Sequence, residues 1–332
     1  MDEQGRAPGV REVAAAAGVS RQTVSRVLND HPSIRPETRE RVLAAMEQLS
    51  FRPNRAARML TTARSQALGV LVASPSSLFG PASSIDAIER AARDAGYFVT
   101  VAHAVSLDAA AVEAALEQLS AQAVEGVVVV APQQRIQDAM DAVALRVPSI
   151  TLHGAGTAGD HGVFVDQLEG ARLATRHLLD LGHTRIAHLS GPGDWSEARA
   201  RREGFLLEME AAGADPVVSR EGDWTAASGA EIGAELLADA AITAVFSSND
   251  QMAIGAMHAA RVAGRSIPDD LAVVGFDDIP EAAFLAPPLT TVRQDFAELG
   301  RRAVARLVAE IEGRTLDFDA PVAPSLVRRA SA

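Results

Sequence analysis

The chain has 332 residues, 48% hydrophobic and 22% charged, enough to bury two or three cores rather than one. It contains no cysteine, which excludes disulfide scaffolds, thiolate metal sites and cysteine nucleophiles and fits a reducing compartment. Its net charge of -12 is unevenly spread: residues 1–64 hold 11 Arg against 7 acidic residues, a net of +4, and the other 268 hold 20 basic against 36 acidic, a net of -16. That division is the pattern of a nucleic-acid-contacting head joined to a body that repels nucleic acid. No secretory apolar run opens the chain, and no later segment approaches the ~18 uninterrupted apolar residues of a membrane span. A cytoplasmic protein with no membrane partner is expected.

In the head, Val10, Val13, Ala14 and Ala17 fall at i, i+3, i+4 and i+7, the apolar stripe of a short helix. It ends at Gly18, where positive φ is wanted. Ser20 caps a second helix with Val24, Val27 and Leu28 inward, and the turn between the two is as short as a helix-turn-helix requires. A third helix starts near Pro36 and is expected to bury Val42, Leu43, Met46 and Leu49. The second helix leaves Arg21, Gln22, Thr23, Ser25 and Arg26 on its polar side. Arg can take guanine O6 and N7 bidentately and Gln adenine N6 and N7, each pair giving about 1–3 kcal/mol of discrimination. A solvated helix face would have the same composition.

The run Val10-Arg-Glu-Val-Ala-Ala-Ala-Ala-Gly-Val-Ser-Arg-Gln-Thr-Val-Ser-Arg-Val-Leu-Asn29 decides between the two, because it resembles the headpiece of the LacI/GalR family. Thr38-Arg-Glu-Arg-Val42 and Phe51-Arg-Pro-Asn-Arg-Ala-Ala-Arg-Met-Leu60 continue the resemblance in register. It implies that Arg21, Gln22 and Arg26 read bases. It also implies a hinge helix that forms on the operator, with Asn54, Arg55, Ala57 and Arg58 toward DNA and Leu60 wedged into the minor groove. Seven residues are well below the ~12–15 at which an isolated helix is marginal in water, so ordering by DNA and a dimer partner is reasonable. For Met59 and Leu60 the plain alternative is packing at a domain junction.

From Ala67 on, apolar runs at Leu68 to Val72, Tyr97 to Ala102, Gly126 to Val130, Arg185 to Leu189, Ala244 to Phe246 and Ala272 to Gly275 alternate with helical segments. The helical segments include Ile85 to Ala95, Leu107 to Leu119, Leu168 to Leu181, Glu197 to Ala212 and Gln251 to Ala263. Such alternation means βαβ units and parallel sheets, here in two halves broken near Val165, with ligands held beyond the carboxyl ends of the strands.

This body resembles the periplasmic-binding-protein-like core of the same family. The resemblance rests on Glu221-Gly-Asp-Trp-Thr225, Ser248-Asn-Asp-Gln-Met-Ala253, Val273-Val-Gly-Phe-Asp-Asp278, Pro287-Pro-Leu-Thr-Thr291, Gln294-Asp-Phe296 and Ser325-Leu-Val-Arg328. It implies a small all-α helix-turn-helix headpiece on a type I α/β core of two doubly wound parallel-sheet subdomains. The implied divisions are a headpiece at 1–53, a hinge at 54–65 and a core at 66–332. Within the core, one subdomain spans about 66–165 plus 295–323 and the other about 166–294 plus 324–332. Arg201, Asn249 and Asp277 would bond ligand hydroxyls, with Gln294 near the cleft. Trp224 would pack on an apolar sugar face, and Leu78, Pro81, Phe296 and Ile85 would form an apolar wall. Carboxylate, amide and guanidinium together serve hydroxyls in both directions. Each polar residue alone also fits a helix cap or a solvated loop.

The implied function is a sequence-specific repressor of carbohydrate-utilisation genes, released from a palindromic operator by a sugar, with a galactoside as candidate. The alternatives are a regulator that needs a purine-like corepressor and a sugar-binding transport component. Two features depart from the family pattern. His153 stands where a relative places an aspartate, with a glycine-rich loop through His161 after it. The chain also stops soon after Arg328-Arg-Ala-Ser-Ala332 with no leucine heptads, so a homodimer is expected. No cofactor or metal is expected: there is no phosphate loop and no clustered His. Asp277 and Asp278 are adjacent and would point apart, unlike the acid/base pair of an enzyme.

Overall fold

The computed structural model describes residues 8–28, 31–51, 64–73, 79–106, 108–131, 133, 136, 146–152, 162–316, 318 and 320–332. The chain divides into two compact units, residues 1–65 and 66–332.

The first unit is built from α1 (Val10–Ala17), α2 (Arg21–Leu28) and α3 (Pro36–Gln48). At the end of α1, Gly18 takes φ 64°, which a residue without Cβ adopts at no steric cost. Ser20 Oγ accepts from the Thr23 amide at 3.1 Å and so caps α2. Val13, Ala14, Ala17, Val24, Val27, Val42, Ala45 and Phe51 form one shared core. Leu43, expected inside, stands 50% exposed. The inward stripe of α3 is instead Val42, Ala45, Met46 and Leu49, the i, i+3, i+4, i+7 set that one helix face can present, and Leu43 lies a residue off it.

The second unit contains two sheets. The first has the order β2-β1-β3-β4, all parallel, from β1 (Ala67–Val72), β2 (Phe98–His103), β3 (Gly126–Val130) and β4 (Ser149–Leu152). The second has the order β10-β9-β8-β7-β5-β6, parallel except at β9/β10. Its strands are β5 (Arg185–Leu189), β6 (Asp215–Val218), β7 (Ala244–Ser247), β8 (Ala272–Asp277), β9 (Thr290–Arg293) and β10 (Ser325–Val327). Every residue of β1, β3, β7 and β8 is buried, as strands covered on both faces require.

Helices supply that cover. On the first sheet, α4 (Phe79–Asp94) and α10 (Phe296–Ile311) pack on Leu68, Val70, Val128 and Val130, and α5 (Ala109–Ala121) packs on Leu71, Val127 and Val129. On the second, α6 (Gln167–Asp180) and α7 (Ser196–Ala211) cover Ile186, Phe246, Val274 and Phe276. Its other face meets α8 (Ala226–Leu237) and α9 (Asp250–Val262) over Leu189, Val245 and Val273. The chain passes between the sheets at 162–166, 294–295 and 320–324, with Val165 and Val322 paired side by side. Both halves are thus doubly wound, and three segments cross between them.

Candidate functional site

In the first unit, Val24 and Val27 fix which side of α2 faces the core, and Arg21, Gln22 and Arg26 are exposed on the other. Thr23 and Ser25 are half-buried between these faces, and the Thr23 hydroxyl lies 2.9 Å from that of Ser20 in the cap. Arg21 and Gln22 occupy the first turn, where unpaired amides and the positive end of the helix dipole favour an anion. Asn54, Arg55, Ala57, Arg58 and Leu60, like Leu78 and His153 of the body, lie outside the described residues.

In the second unit a cleft lies between the two sheets. The first-sheet side contributes Phe79, Gly80 and Pro81 from the start of α4. The second-sheet side contributes Trp195, Glu197, Arg201, Trp224, Asn249, Asp277 and Gln294. Trp195, Trp224 and Asn249 sit just before α7, α8 and α9, and Asp277 ends β8. These are the carboxyl ends of parallel strands, where open α/β sheets bind ligands. Phe296, at the start of α10, meets the Phe79 ring edge-on at 5.9 Å and backs this wall.

Four buried polar side chains close a ring at the cleft floor. Arg201 Nε donates to Gln167 Oε1 at 2.9 Å, Gln167 Nε2 to Gln294 Oε1 at 2.7 Å, and Gln294 Nε2 to Asp277 Oδ1 at 2.7 Å. Arg201 Nη2 lies 3.6 Å from the same carboxylate oxygen. Another guanidinium nitrogen donates to the Ser248 carbonyl, and the plane lies over the Phe276 ring with Cζ 3.8 Å from its centroid. A buried charge without such partners would be costly, so each member holds the next in place.

Asn249 is committed differently. Its Oδ1 accepts from the Met252 amide at 2.9 Å as the cap of α9, while Nδ2 donates to the Trp224 carbonyl at 3.0 Å and to Gln251 Oε1 at 2.9 Å. With both amide hydrogens engaged, Asn249 fixes Trp224 more directly than it can offer a donor to a ligand. Asp277 and Asp278 do face apart: Asp278 accepts from Arg293 Nε and Arg329 Nη2, each at 2.6 Å.

Backbone strain concentrates here. Among the described residues six non-glycines have positive φ, and three are Trp224 (71°), Asp277 (110°) and Asp278 (54°). Such conformations persist where their surroundings over-determine them, which points to a functional locus. Gly191 makes room for Trp224, since a Cβ there would come within 2.5 Å of the indole. Beneath it, the Gly191 amide donates to Ser248 Oγ at 3.0 Å, and Ser248 Oγ lies 3.3 Å from His188 Nε2. Burial pushes the His188 imidazole down to about 3 against a smaller upward pull from the Phe246 carbonyl, with Arg201 and Arg202 adding to the fall. Burial, then the neighbouring Asp277 charge, raises the Asp250 carboxyl well above its ordinary value. Its oxygens accept from Thr291 Oγ1 at 2.6 Å and the Ile279 amide at 2.9 Å, clamping the loop that presents Asp277.

Gln167, Trp195, Glu197, Phe79 and Gly80 carry no motif that singles them out in the sequence. Trp195 and Glu197 had one available signal, their place just beyond the strand Arg185–Leu189. Among the described residues no helix is long and apolar enough to cross a membrane, and no group of three His, Cys, Asp or Glu could hold a metal ion.

Comparison with known proteins agrees with this arrangement. The family described as bacterial regulatory proteins, lacI family, matches residues 10–54. The periplasmic binding protein-like domain matches residues 175–332. The chain is 36% identical over 321 residues to the lactose operon repressor of Escherichia coli K12, covering 96% of this chain and 89% of that one. It is 32% identical over 332 residues to the transcriptional repressor PurR of Haemophilus influenzae, covering 97% and 98%. A crystal structure of the lac repressor dimer bound to operator and the anti-inducer ONPF superposes with a TM-score of 0.85 at 35% identity, over 98% of this chain and 99% of that one. With its helix-turn-helix head, its two doubly wound sheets and these full-length likenesses, the chain belongs to the lacI family of bacterial regulatory proteins, which are DNA-binding transcriptional repressors.

Proposed function

We propose that this repressor acts in the cytoplasm as a homodimer on a palindromic operator and is released from it by a sugar bound in the cleft. The observation that carries the sugar reading is the buried ring of Arg201, Gln167, Gln294 and Asp277 beside an indole. It combines fixed hydroxyl donors and acceptors with a flat apolar surface. Arg21, Gln22 and Arg26 read base edges in the major groove, with Thr23 and Ser25 beside them. Asn54, Arg55, Ala57, Arg58 and Leu60 form the hinge, and the divisions at 1–53, 54–65 and 66–332 separate reading head, hinge and sensing body. Pro81 and Phe296 form the apolar wall, and Leu78 and His153, outside the described residues, are ligand-contact candidates from the family resemblance alone. Asn249 acts by holding Trp224. The cleft carries out no chemistry: Asp277 is bonded into the ring, and Asp278 is turned toward Arg293 and Arg329. Val262 and Phe284, both exposed on the second-sheet half, give a second copy apolar surface to cover.

Effector binding shifts the two halves of the body and with them the hinges of the dimer. The coupling is reciprocal, so operator weakens effector by the factor by which effector weakens operator. A purine-like corepressor is the second reading, favoured by the 32% likeness to PurR. The test is to select DNA sites from a random library with the full chain and then titrate the complex with galactosides, glucosides, hexoses and purines. Release by one sugar class supports the proposal. Tighter DNA binding with a purine replaces it with the second reading, and sugars that bind without changing DNA affinity overturn it.

A further inference from the structure

His188 stands in β5, inside a sheet covered by helices on both faces, and is fully buried. Such a place calls for an apolar side chain. The imidazole stacks on Phe205 of α7, with centroids 5.2 Å apart and planes at 24°, and lies 4.9 Å from the Phe246 ring. Packing accounts for a ring here. It does not account for two ring nitrogens, which cost stability unless both are bonded.

Both are bonded, and in one direction only. Nδ1 lies 3.2 Å from the Phe246 carbonyl, which can only accept, so Nδ1 carries the proton and Nε2 the lone pair. The Ser248 hydroxyl, 3.3 Å from Nε2, donates there and accepts from the Gly191 amide at 3.0 Å. Ser248 follows β7 and precedes α9, and its carbonyl accepts from Arg201. Gly191 is the residue over which the Trp224 indole is fitted. One hydroxyl thus ties the backbone that orients the cleft cation to the backbone that seats the cleft indole. Gln167 and Asp277 hold the other two nitrogens of Arg201 from within the polar ring. The Ser248 carbonyl is the one hold whose support runs outside that ring, to His188.

We propose that His188 is a positioning residue for effector binding: by accepting the Ser248 hydroxyl it fixes the Ser248 carbonyl that orients Arg201 and the Gly191 backbone that seats Trp224. This rests on the cleft as the effector site, whichever small molecule enters it. His188 is not among the residues that line the cleft and acts only through those that do. An apolar residue at 188 would fill the same space but leave the Ser248 hydroxyl without its acceptor, so the hydroxyl would turn away and loosen both backbones.

The test uses the full chain with His188→Leu, Ser248→Ala and the conservative His188→Gln, which keeps a side-chain acceptor for the hydroxyl. Nitrogen-15 NMR of the parent should show a neutral His188 with its proton on Nδ1. It should also show one Arg201 Nε–H signal, displaced by the Phe276 ring that lies 3.8 Å from Cζ and identified by Overhauser contacts to that ring. His188→Leu and Ser248→Ala should shift or split the Arg201 signal, and His188→Gln should restore it. A packing role alone would move the melting temperature and leave that signal in place. Should His188→Leu not fold, Ser248→Ala carries the test. Calorimetric titration with lactose, galactose, glucose and adenine gives the second readout. A compound that binds the parent should bind His188→Leu about tenfold more weakly and His188→Gln nearly as well as the parent. The proposal is overturned, with the sugar reading intact, if a sugar binds parent and His188→Leu equally or if neither apolar variant moves the Arg201 signal. If adenine alone binds and follows the expected order, the positioning role stands and the sugar reading falls. If none of the four binds, the Arg201 signal alone decides.

Discussion

The head and the body carry their functional side chains in opposite ways. On α2, Arg21, Gln22 and Arg26 point into solvent from a helix whose other side is core, so each can be exchanged without disturbing its neighbours. In the body, Arg201, Gln167, Gln294 and Asp277 are all at least nine-tenths buried and bonded to one another. A DNA-reading surface tolerates change one position at a time, whereas a buried polar ring responds as a unit because each member completes the next.

Arg201→Ala should break that contrast most severely. It removes the cation from a site where Asp277 remains buried, and losing one partner of such a pair costs about 3–5 kcal/mol. Thermal unfolding of the body should register that loss, and effector binding should disappear with it.

Acid should separate the two regions next. His188 is buried in the body between Phe205 and Phe246 and is held neutral, with its folded value down at about 3. A base whose folded pKa lies below its unfolded value of about 6.5 contributes stability that is fully present above pH 6.5 and lost as pH falls toward 3. The slope is about 1.4 kcal/mol per pH unit, so roughly 2–3 kcal/mol should be lost between pH 6.5 and 4.5. Denaturant unfolding across this range checks the sign, and His188→Phe, which keeps the ring stack, should flatten the profile.

Arg21→Ala, by contrast, should leave body unfolding unchanged. Its effect belongs to DNA: about 1–3 kcal/mol of discrimination at one base pair of each half-site. Competition binding on sites altered base by base would reveal it, and a uniform loss on every sequence would make Arg21 a phosphate contact instead.

The same division explains what the sequence made legible. Parallel strands buried on both faces read as unbroken apolar runs, as Gly126 to Val130 does, and Arg185 to Leu189 is also observed with its expected bounds although Arg185 and His188 interrupt its apolar run. β6 escapes because it is a four-residue edge strand containing Pro216, which has no amide to give a ladder. β9 and β10 escape as runs of four and three residues with mixed side chains. In the site, Asp277 and Gln294 stand in motifs visible in the sequence, and Arg201 is identified only through the family resemblance. Gln167 was not legible, because its partner Gln294 lies 127 residues away and no local pattern encodes a bond of that span.

Leu43 is the smallest instance of the same limit, and it gives the most sensitive test. Val42 and Leu43 are adjacent and both apolar, so periodicity alone lets either begin the buried stripe of α3, and only the position of α1 and α2 decides. Val42 is fully buried against them and Leu43 is 50% exposed. Val42→Ala deletes two buried carbons and should cost about 2 kcal/mol, at roughly 0.8 kcal/mol each plus a small cavity term. Leu43→Gln retains a good helix former on the solvent side and should stay within about 0.5 kcal/mol of the parent. Hydrogen exchange at the α3 amides of the full chain would measure both locally. Faster exchange for Leu43→Gln than for Val42→Ala would mean that α3 is rotated and that its inward stripe begins at Leu43 after all.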